Sequence, residues 1–285
     1  MTDRILVPVS GGKDSQAVLA LAVDKYGPEV ITGVHNYTGI DHSLTYEHMR
    51  YMAGRYGVPI VFTKAKYTDI FDMIEKRDMI PGRVARLCTD EFKIQAMNRW
   101  LKRQRNHDKI LILMGMRAQE SIPRMESYGD MSPDDVFSLR DLFPKKTPKY
   151  LASIRVQLPI VHRSTPWVYQ FLRERGDKIN PLYARGHKRV GCYPCLLAGN
   201  VDFRLAARDP EGRQTIIKLD TLRAEMFKRK GIEQGGALWN AVLEGRDLQK
   251  LLRDEALGNQ TQDPFGLRVE DEPDDGGTGC ETCDR

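Results

Sequence analysis

Short apolar runs alternate with amphipathic segments along the first 116 residues. Four of these runs are rich in branched apolar residues and predict buried strands over 5–9, 30–37, 59–63 and 110–116. Between them, apolar residues recur at helical spacing, which predicts helices over 14–25, 43–56, 68–76 and 90–105. Strands that alternate with helices favour an α/β fold, in which a twisted parallel sheet is flanked by helices.

The alternation lapses after residue 117. The stretch 120–150 is rich in Pro, Asp, Ser and Lys, so we expect a long excursion or lid there rather than core. The remaining pattern predicts a strand near 155–159, a helix near 166–175, a segment rich in Gly, Pro and Cys over 180–199, and helices over 210–230 and 238–257.

Charge separates the end of the chain from its body. The net charge is +5, but from residue 263 onward eight acidic residues face two arginines, so that stretch carries −6 and the preceding body +11. An excess of that size favours nucleotides or nucleic acid as partners, although a solvated basic surface explains it equally well. We expect a body over 1–200, a helical extension over 201–259 and an acidic tail with a C-x-x-C pair over 260–285.

Composition also limits the compartment. No apolar run approaches the roughly 20 residues that span a bilayer, and the N-terminus lacks the pattern of a secretory signal. We therefore expect a cytoplasmic protein without membrane contact, and homo-oligomer formation stays open. The five cysteines are an odd number, which argues against a disulfide framework. Two C-x-x-C spacings point instead to metal, iron–sulfur or redox chemistry.

The hexapeptide SGGKDS at 10–15 lies between the first predicted strand and the first predicted helix. Glycines let a backbone approach an anion, and a helix N-terminus offers unpaired N–H donors and a positive dipole end. Asp14 would repel phosphate unless it holds Mg²⁺. The hexapeptide resembles the pyrophosphate loop (PP-loop) of the N-type ATP pyrophosphatases. This resemblance implies that ATP and Mg²⁺ are bound by Ser10, Gly11, Gly12, Lys13, Asp14 and Ser15.

The same resemblance implies the adenine nucleotide alpha-hydrolase-like fold, with the nucleotide at the carboxyl ends of the strands. Asn36, at the end of the second predicted strand, then borders the nucleoside. A second segment, GMRAQESIPR at 115–124, resembles the G-x-R-x-x-E-S-x-x-R stretch of the phosphoadenosine phosphosulfate (PAPS) reductase group. It leaves a strand at Gly115 and delivers Arg117 and Arg124, whose guanidinium groups suit bidentate contact with phosphate or sulfate.

A third block, 158–195, is similar to the PAPS reductase signature that contains N-P-L-Y and R-x-G-C-x-x-C. In iron–sulfur members of this family, an earlier cysteine precedes a helix that carries a lysine. The resemblance therefore implies a [4Fe–4S] cluster on Cys88, Cys192 and Cys195, with its fourth iron open or capped from the tail. Three alternatives stay open: free buried thiols, a redox pair in the tail, or a zinc ion on Cys192, Cys195, Cys280 and Cys283.

These resemblances predict an enzyme that transfers AMP from ATP to an acceptor oxygen and releases pyrophosphate. Sulfur held at the cluster or on the tail thiol Cys283 then displaces AMP, and Lys13, Asp14 and Arg117 complete the predicted catalytic set. Similarity to the iron–sulfur DNA-phosphorothioation and thiolation enzymes implies a nucleic acid acceptor. It also implies a sulfur donor such as a cysteine desulfurase or a thioredoxin-like protein.

Two other functions stay open. The first is a PAPS or adenylylsulfate reductase that uses a tail cysteine. The second is a non-enzymatic, nucleotide-sensing or nucleic-acid-binding subunit with a structural metal centre.

Overall fold

A six-stranded sheet forms the centre of the computed structural model, which describes residues 4–82 and 85–232. Its strand order is β3-β2-β1-β4-β6-β5, and all neighbours are parallel except β5, which runs antiparallel to β6. The strands are β1 (Arg4–Pro8), β2 (Ile31–Asn36), β3 (Ile60–Thr63), β4 (Ile110–Leu113), β5 (Val136–Ser138) and β6 (Arg155–Gln157). The predicted α/β fold with a mostly parallel sheet flanked by helices is confirmed.

Helices connect the strands and continue beyond them. They are α1 (Lys13–Tyr26), α2 (Ser43–Tyr56), α3 (Ile70–Arg77), α4 (Gln95–Lys102), α5 (Ile122–Tyr128), α6 (Leu139–Leu142), α7 (Thr165–Glu174), α8 (Pro181–Ala184), α9 (Asn200–Arg208) and α10 (Pro210–Lys230). The helix predicted over 90–105 begins instead with a π-helical turn, Thr89–Ile94, that leads directly into α4. In the described part of the chain, no helix has the length and apolarity needed to cross a membrane.

Both faces of the sheet are buried because side chains alternate along its central strands. Ile5 and Val7 of β1 pack with Leu19 of α1 on one face. Leu6, between them, packs with Leu101 of α4 on the other face. Packing on both faces therefore holds β1 and α1, and with them the two ends of the loop that joins them, in fixed positions.

The stretch 120–150 differs from the expected lid. It contributes the edge strand β5, and its residues Tyr128 and Leu139 are buried in the cluster that includes Val156 of β6. The polar composition reflects the exposed side of this excursion, while a few apolar residues suffice to attach it to the sheet.

The C-terminal helix α10 packs against both α3 and α9. Phe203 and Phe227 are buried in one cluster with Met73 and Phe92. The helix predicted over 238–257 and the tail over 260–285 lie outside the described residues, and the proposed domain boundaries stay predictions.

A chain of buried polar groups fixes α1 against α2 and the segment after α7. The Gln16 amide donates to Lys178 O (2.8 Å) and its oxygen lies 2.9 Å from His48 Nε2. The Tyr56 hydroxyl donates to Asp177 Oδ2 (2.8 Å). Two arginines also pair with Asp177, whose side chain is fully buried: Arg55 and Arg175. Every link is a satisfied hydrogen bond, so this polar chain holds the elements in one arrangement.

We expect Asp177→Ala to lower the free energy of unfolding by about 2 kcal/mol, because it leaves the buried Tyr56 hydroxyl and two guanidinium groups without their shared acceptor. Denaturant titration of the variant and the wild type measures this loss. The matched control is Asp24→Ala, which removes an exposed partner of Arg175 and should cost less than about 1 kcal/mol. Equal losses in the two variants would contradict the assigned role of Asp177.

Candidate active site

The loop between β1 and α1 requires glycine at its tightest point. Gly11 has a φ of +76°, and a Cβ on it would lie 2.5 Å from Cγ2 of Thr45 in α2. Gly115 follows β4, and a Cβ there would lie 3.2 Å from the backbone of Asp14. The glycines that the sequence singled out therefore allow three segments to approach one another closely.

The two serines of the loop close it on itself. The Ser15 hydroxyl donates to Gly12 O (2.9 Å) and accepts from the Ser10 N–H (3.2 Å). The Ser10 hydroxyl oxygen lies 3.3 Å from both Gly12 N and Ser15 Oγ. In this structure both hydroxyls are thus engaged within the loop, and direct contact of either with phosphate stays a prediction.

Alternating charges run from the loop to α5. Asp14 pairs with Lys13 Nζ (3.0 Å) through one carboxylate oxygen and with Arg117 Nε (2.7 Å) through the other. Arg117 Nε lies 3.8 Å from Glu120, which also pairs with Arg124. Lys13 and Arg117 are buried, so the carboxylates offset a desolvation cost that either cation alone would carry. The structure therefore brings the four predicted residues Lys13, Asp14, Arg117 and Arg124 together with Glu120 into one ionic network, whose five side chains carry a net charge of +1.

The segment 180–191 covers the loop from the other side. The Asn180 amide donates to Gly11 O (3.1 Å), and the Lys13 backbone N–H donates to the Tyr183 hydroxyl (3.1 Å). Val190 O would lie 3.2 Å from a Cβ on Gly12. We did not assign these residues to the site from the sequence, although Asn180 and Tyr183 belong to the N-P-L-Y motif noted above.

Two aromatic rings flank the Lys13 side chain. Its Nζ lies 5.4 Å from the ring centroid of Tyr183 and 5.7 Å from that of Tyr169, within the range of a cation–π contact. Burial, together with Asp14, raises the pKa of both phenols. Both phenols therefore stay neutral beside the ammonium group at physiological pH. No sequence motif pointed to Tyr169.

Asn36 lies where β2 ends, beside the loop. Its side-chain oxygen accepts a hydrogen bond from the Thr63 hydroxyl of β3 (2.8 Å). The preceding residue, His35, is buried with its Nδ1 2.8 Å from Val9 O. Both side chains thus tie β2 to its neighbours, and contact between Asn36 and a nucleoside stays a prediction.

The thiols of Cys88, Cys192 and Cys195 pack against the same apolar cluster, and all three affect the pKa of one lysine. Cys192, followed by Cys195 and Cys88, raises the pKa of Lys93, which keeps solvent access on the π-helical turn. Burial raises the pKa of Cys192 to about 12 and also raises that of Cys88. Cys192 Sγ lies 3.5 Å from Thr38 Oγ1, beyond the carboxyl end of β2. The three predicted ligands therefore share one electrostatic environment.

The donor set of these thiols suits iron–sulfur or zinc chemistry in kind. Over residues 4–82 and 85–232, however, no group of three or more His, Cys, Asp or Glu side chains is arranged to hold a metal ion. Cys280 and Cys283 lie outside the described residues, so neither the four-cysteine zinc alternative nor the catalytic role of Cys283 has a structural counterpart here.

The family of the chain follows from its sequence. Residues 4–198 match the phosphoadenosine phosphosulfate reductase domain. The chain belongs to this family. The match spans the loop, the ionic network and all three clustered thiols, and it supports a nucleotide-using enzyme as the general class.

Two other proteins are similar to this chain in sequence. The chain is 26% identical over 277 residues to an uncharacterized 37.8 kDa protein of Escherichia phage 186, covering 79% of this chain and 76% of the relative. It is 25% identical over 191 residues to an uncharacterized protein of Methanocaldococcus jannaschii, covering 67% of this chain and 36% of the relative. The chain thus spans about a third of the archaeal relative's length.

Solved structures resemble this fold more distantly. The PAPS reductase of Candida auris, a phosphate complex, has a TM-score of 0.48 and 15% identity, with 68% of this chain and 84% of that chain covered. The FMN adenylyltransferase of Candida glabrata, with FMN and an ATP analogue, has a TM-score of 0.46 and 16% identity, with 67% and 56% covered. At these values the structures add no argument to the family match.

We expect Gly11→Ala to lower the free energy of unfolding by about 2 kcal/mol, because alanine resists the positive φ and overlaps Thr45. Gly54→Ala is the matched control: it lies inside α2, and a Cβ there meets nothing within 4 Å. This control should gain about 0.5–1 kcal/mol. Denaturant titration compares the two, and a Gly11→Ala variant as stable as the wild type would contradict the loop geometry.

Proposed function

We propose that this protein transfers the adenylyl group of ATP to an acceptor with release of pyrophosphate, and couples this step to sulfur transfer. One observation carries the proposal: the segment 180–195 contacts the PP-loop through Asn180 and Tyr183 and supplies two of the three clustered thiols, Cys192 and Cys195. The covalent continuity of this segment joins a nucleotide site to a sulfur site.

The charges at the loop suit cleavage between the α- and β-phosphates. The acceptor oxygen forms a bond to the α-phosphorus, its proton passes to solvent, and pyrophosphate leaves with the electron pair of the broken P–O bond. Lys13 and Arg117 neutralise the charge that develops on this leaving group. Asp14 would hold the Mg²⁺ that ATP brings with it.

Binding exchanges the partners of Asp14. In the structure, the Asp14 carboxylate pairs with Lys13 and Arg117. Asp14 would be the residue that holds Mg²⁺ when ATP·Mg²⁺ binds, and Lys13 and Arg117 would then be available to the phosphates. Each charge keeps an opposite charge throughout, so the exchange avoids leaving a buried cation alone.

The sulfur step uses the second site. A sulfur nucleophile bonds to the acceptor atom that carries the AMP oxygen, that C–O or P–O bond breaks, and AMP leaves. Cys88, Cys192 and Cys195 would hold a [4Fe–4S] cluster, with Lys93 as the adjacent positive charge. When bound, the cluster supplies an iron site for sulfur.

The other source of sulfur is a persulfide on the tail thiol Cys283, loaded by a cysteine desulfurase or a thioredoxin-like donor. Its outer sulfur bonds to the acceptor as AMP leaves, and the thiolate of Cys280 then attacks Cys283 Sγ and releases the thiolated acceptor. An external thiol reduces the disulfide that this leaves between Cys280 and Cys283.

Nucleic acid is the acceptor class that we favour. The charge of +11 on the body preceding residue 263 supports a polyanionic partner. We place the reaction in the cytoplasm, where thiols stay reduced.

One prediction of the proposed function concerns Lys13. We expect Lys13→Ala to slow pyrophosphate release from ATP by roughly 100-fold or more, because it removes the cation that neutralises the leaving group. The assay follows pyrophosphate with Mg²⁺, ATP and candidate nucleic acids. The matched control is Lys25→Ala, at the exposed far end of the same helix, which should retain the wild-type rate.

The same assay separates the competing functions. Full pyrophosphate release by Lys13→Ala would contradict the role of the loop. Thiol-dependent release of sulfite without ATP turnover, lost in Cys283→Ser, would favour a PAPS or adenylylsulfate reductase instead. ATP and nucleic acid binding without turnover under any condition would favour a non-enzymatic subunit.

Another prediction of the proposed function concerns the three thiols. We expect anaerobically purified protein to contain about four iron and four sulfide per chain and to absorb visible light, and Cys88→Ser to lose both signals because one of three ligands is gone. Metal and sulfide analysis with absorption spectroscopy measures this.

A double variant, Cys280→Ser with Cys283→Ser, is the control for the tail. It should keep its iron if the three core thiols suffice. Stoichiometric zinc in the wild type, lost in this double variant, would contradict the cluster and favour the four-cysteine zinc site.

A further inference from the structure

The Tyr183 hydroxyl lies at the first turn of α1, beside the PP-loop. It accepts a hydrogen bond from the Lys13 backbone N–H (3.1 Å), and it would lie 3.1 Å from a Cβ on Gly12. We propose that Tyr183 is a phosphate-binding residue, whose hydroxyl proton is donated to an oxyanion of the nucleotide. This inference rests on the proposed function, because it takes the PP-loop as the site of the phosphates.

The hydrogen-bond inventory of the phenol supports this role. A tyrosine hydroxyl that accepts from a backbone N–H still has one proton to donate. Among residues 4–82 and 85–232, no acceptor takes that proton. The phenol stays protonated because burial raises its pKa. A neutral donor with a free proton therefore sits at the positive end of a helix, where an anion is favoured.

The contact with Lys13 makes this donor stronger and fixes its position. A hydroxyl that accepts from an N–H is polarised and donates more strongly in turn. The Tyr183 ring also lies 5.4 Å from Lys13 Nζ, so the ammonium group and the hydroxyl flank the same space. In the proposed arrangement, the Lys13 backbone N–H does not contact the phosphate directly. It donates to the Tyr183 hydroxyl, and that hydroxyl donates to the phosphate.

The opposite role has a distinct signature. If the hydroxyl only occupied the Lys13 N–H and had to withdraw before phosphate binds, its removal would expose a donor and strengthen binding. If the phenol only supported the fold, its removal would lower stability without changing affinity. Removal of the hydroxyl therefore weakens anion binding in the proposed role, strengthens it in the opposite role, and leaves it unchanged in the purely structural role.

The test compares two tyrosines of the same segment. Tyr183→Phe keeps the ring and removes the hydroxyl; Tyr193→Phe does the same at a hydroxyl that lies 3.1 Å from His187 Nε2. Titration calorimetry with inorganic pyrophosphate and Mg²⁺ measures the dissociation constant, and thermal unfolding measures stability. We expect Tyr183→Phe to raise the dissociation constant roughly 10-fold, and Tyr193→Phe to leave it unchanged, with similar melting temperatures for both.

Each outcome has one meaning. Unchanged or tighter pyrophosphate binding by a folded Tyr183→Phe variant overturns the inference while the proposed function stands. Equal weakening in both variants assigns the effect to the segment as a whole and also overturns it. If the wild type binds neither pyrophosphate nor ATP, the proposed function itself fails, and the inference fails with it. Should Tyr183→Phe not fold, 3-fluorotyrosine at position 183, a stronger donor, must tighten binding, and no tightening overturns the inference.

Discussion

The carboxylate of Asp14 is the constraint on which the site depends. It pairs with Lys13 and Arg117 at once, and both cations are buried. Two buried cations side by side would repel each other and would each lose their hydration, which costs several kcal/mol per ion. Asp14 offsets this cost, so the chain can fold with both cations already in place. In the proposed reaction, Mg²⁺ then competes with these cations for one carboxylate.

The rest of the site is held in place by the segment that follows α7. At the start of this segment, Asp177 pairs with Tyr56 and Arg55. Further along, the Asn180 amide donates a hydrogen bond to Gly11 O in the loop. Gly186, with a φ of +93°, lies between Tyr183 and Val190, which both lie close to the loop. Because these contacts link residues more than 100 positions apart, the site forms only when the whole domain has folded.

The features that could be predicted from the sequence are those that depend on short stretches of the chain. The SGGKDS loop lies between a strand and a helix as predicted, because its glycines and the flanking periodicities are local signals. The partners of Lys13 were only partly visible: Tyr183 belonged to a motif without an assigned role, and Tyr169 carried no signal at all. The edge strand β5 was missed because its three residues are attached by long-range pairing with β6, which no local pattern encodes.

The geometry also limits how an acceptor can approach. Asn180, Tyr183 and Val190 close one side of the PP-loop, and Arg117 with its partners closes another. The thiol group lies beyond the carboxyl end of β2, where Cys192 meets Thr38. In the proposed reaction, an acceptor that is adenylated at the loop and then receives sulfur would have to reach both places from the carboxyl edge of the sheet. A flexible, extended substrate such as a single nucleic acid strand satisfies this requirement better than a rigid duplex, because its reacting group can enter the site without the rest of the molecule.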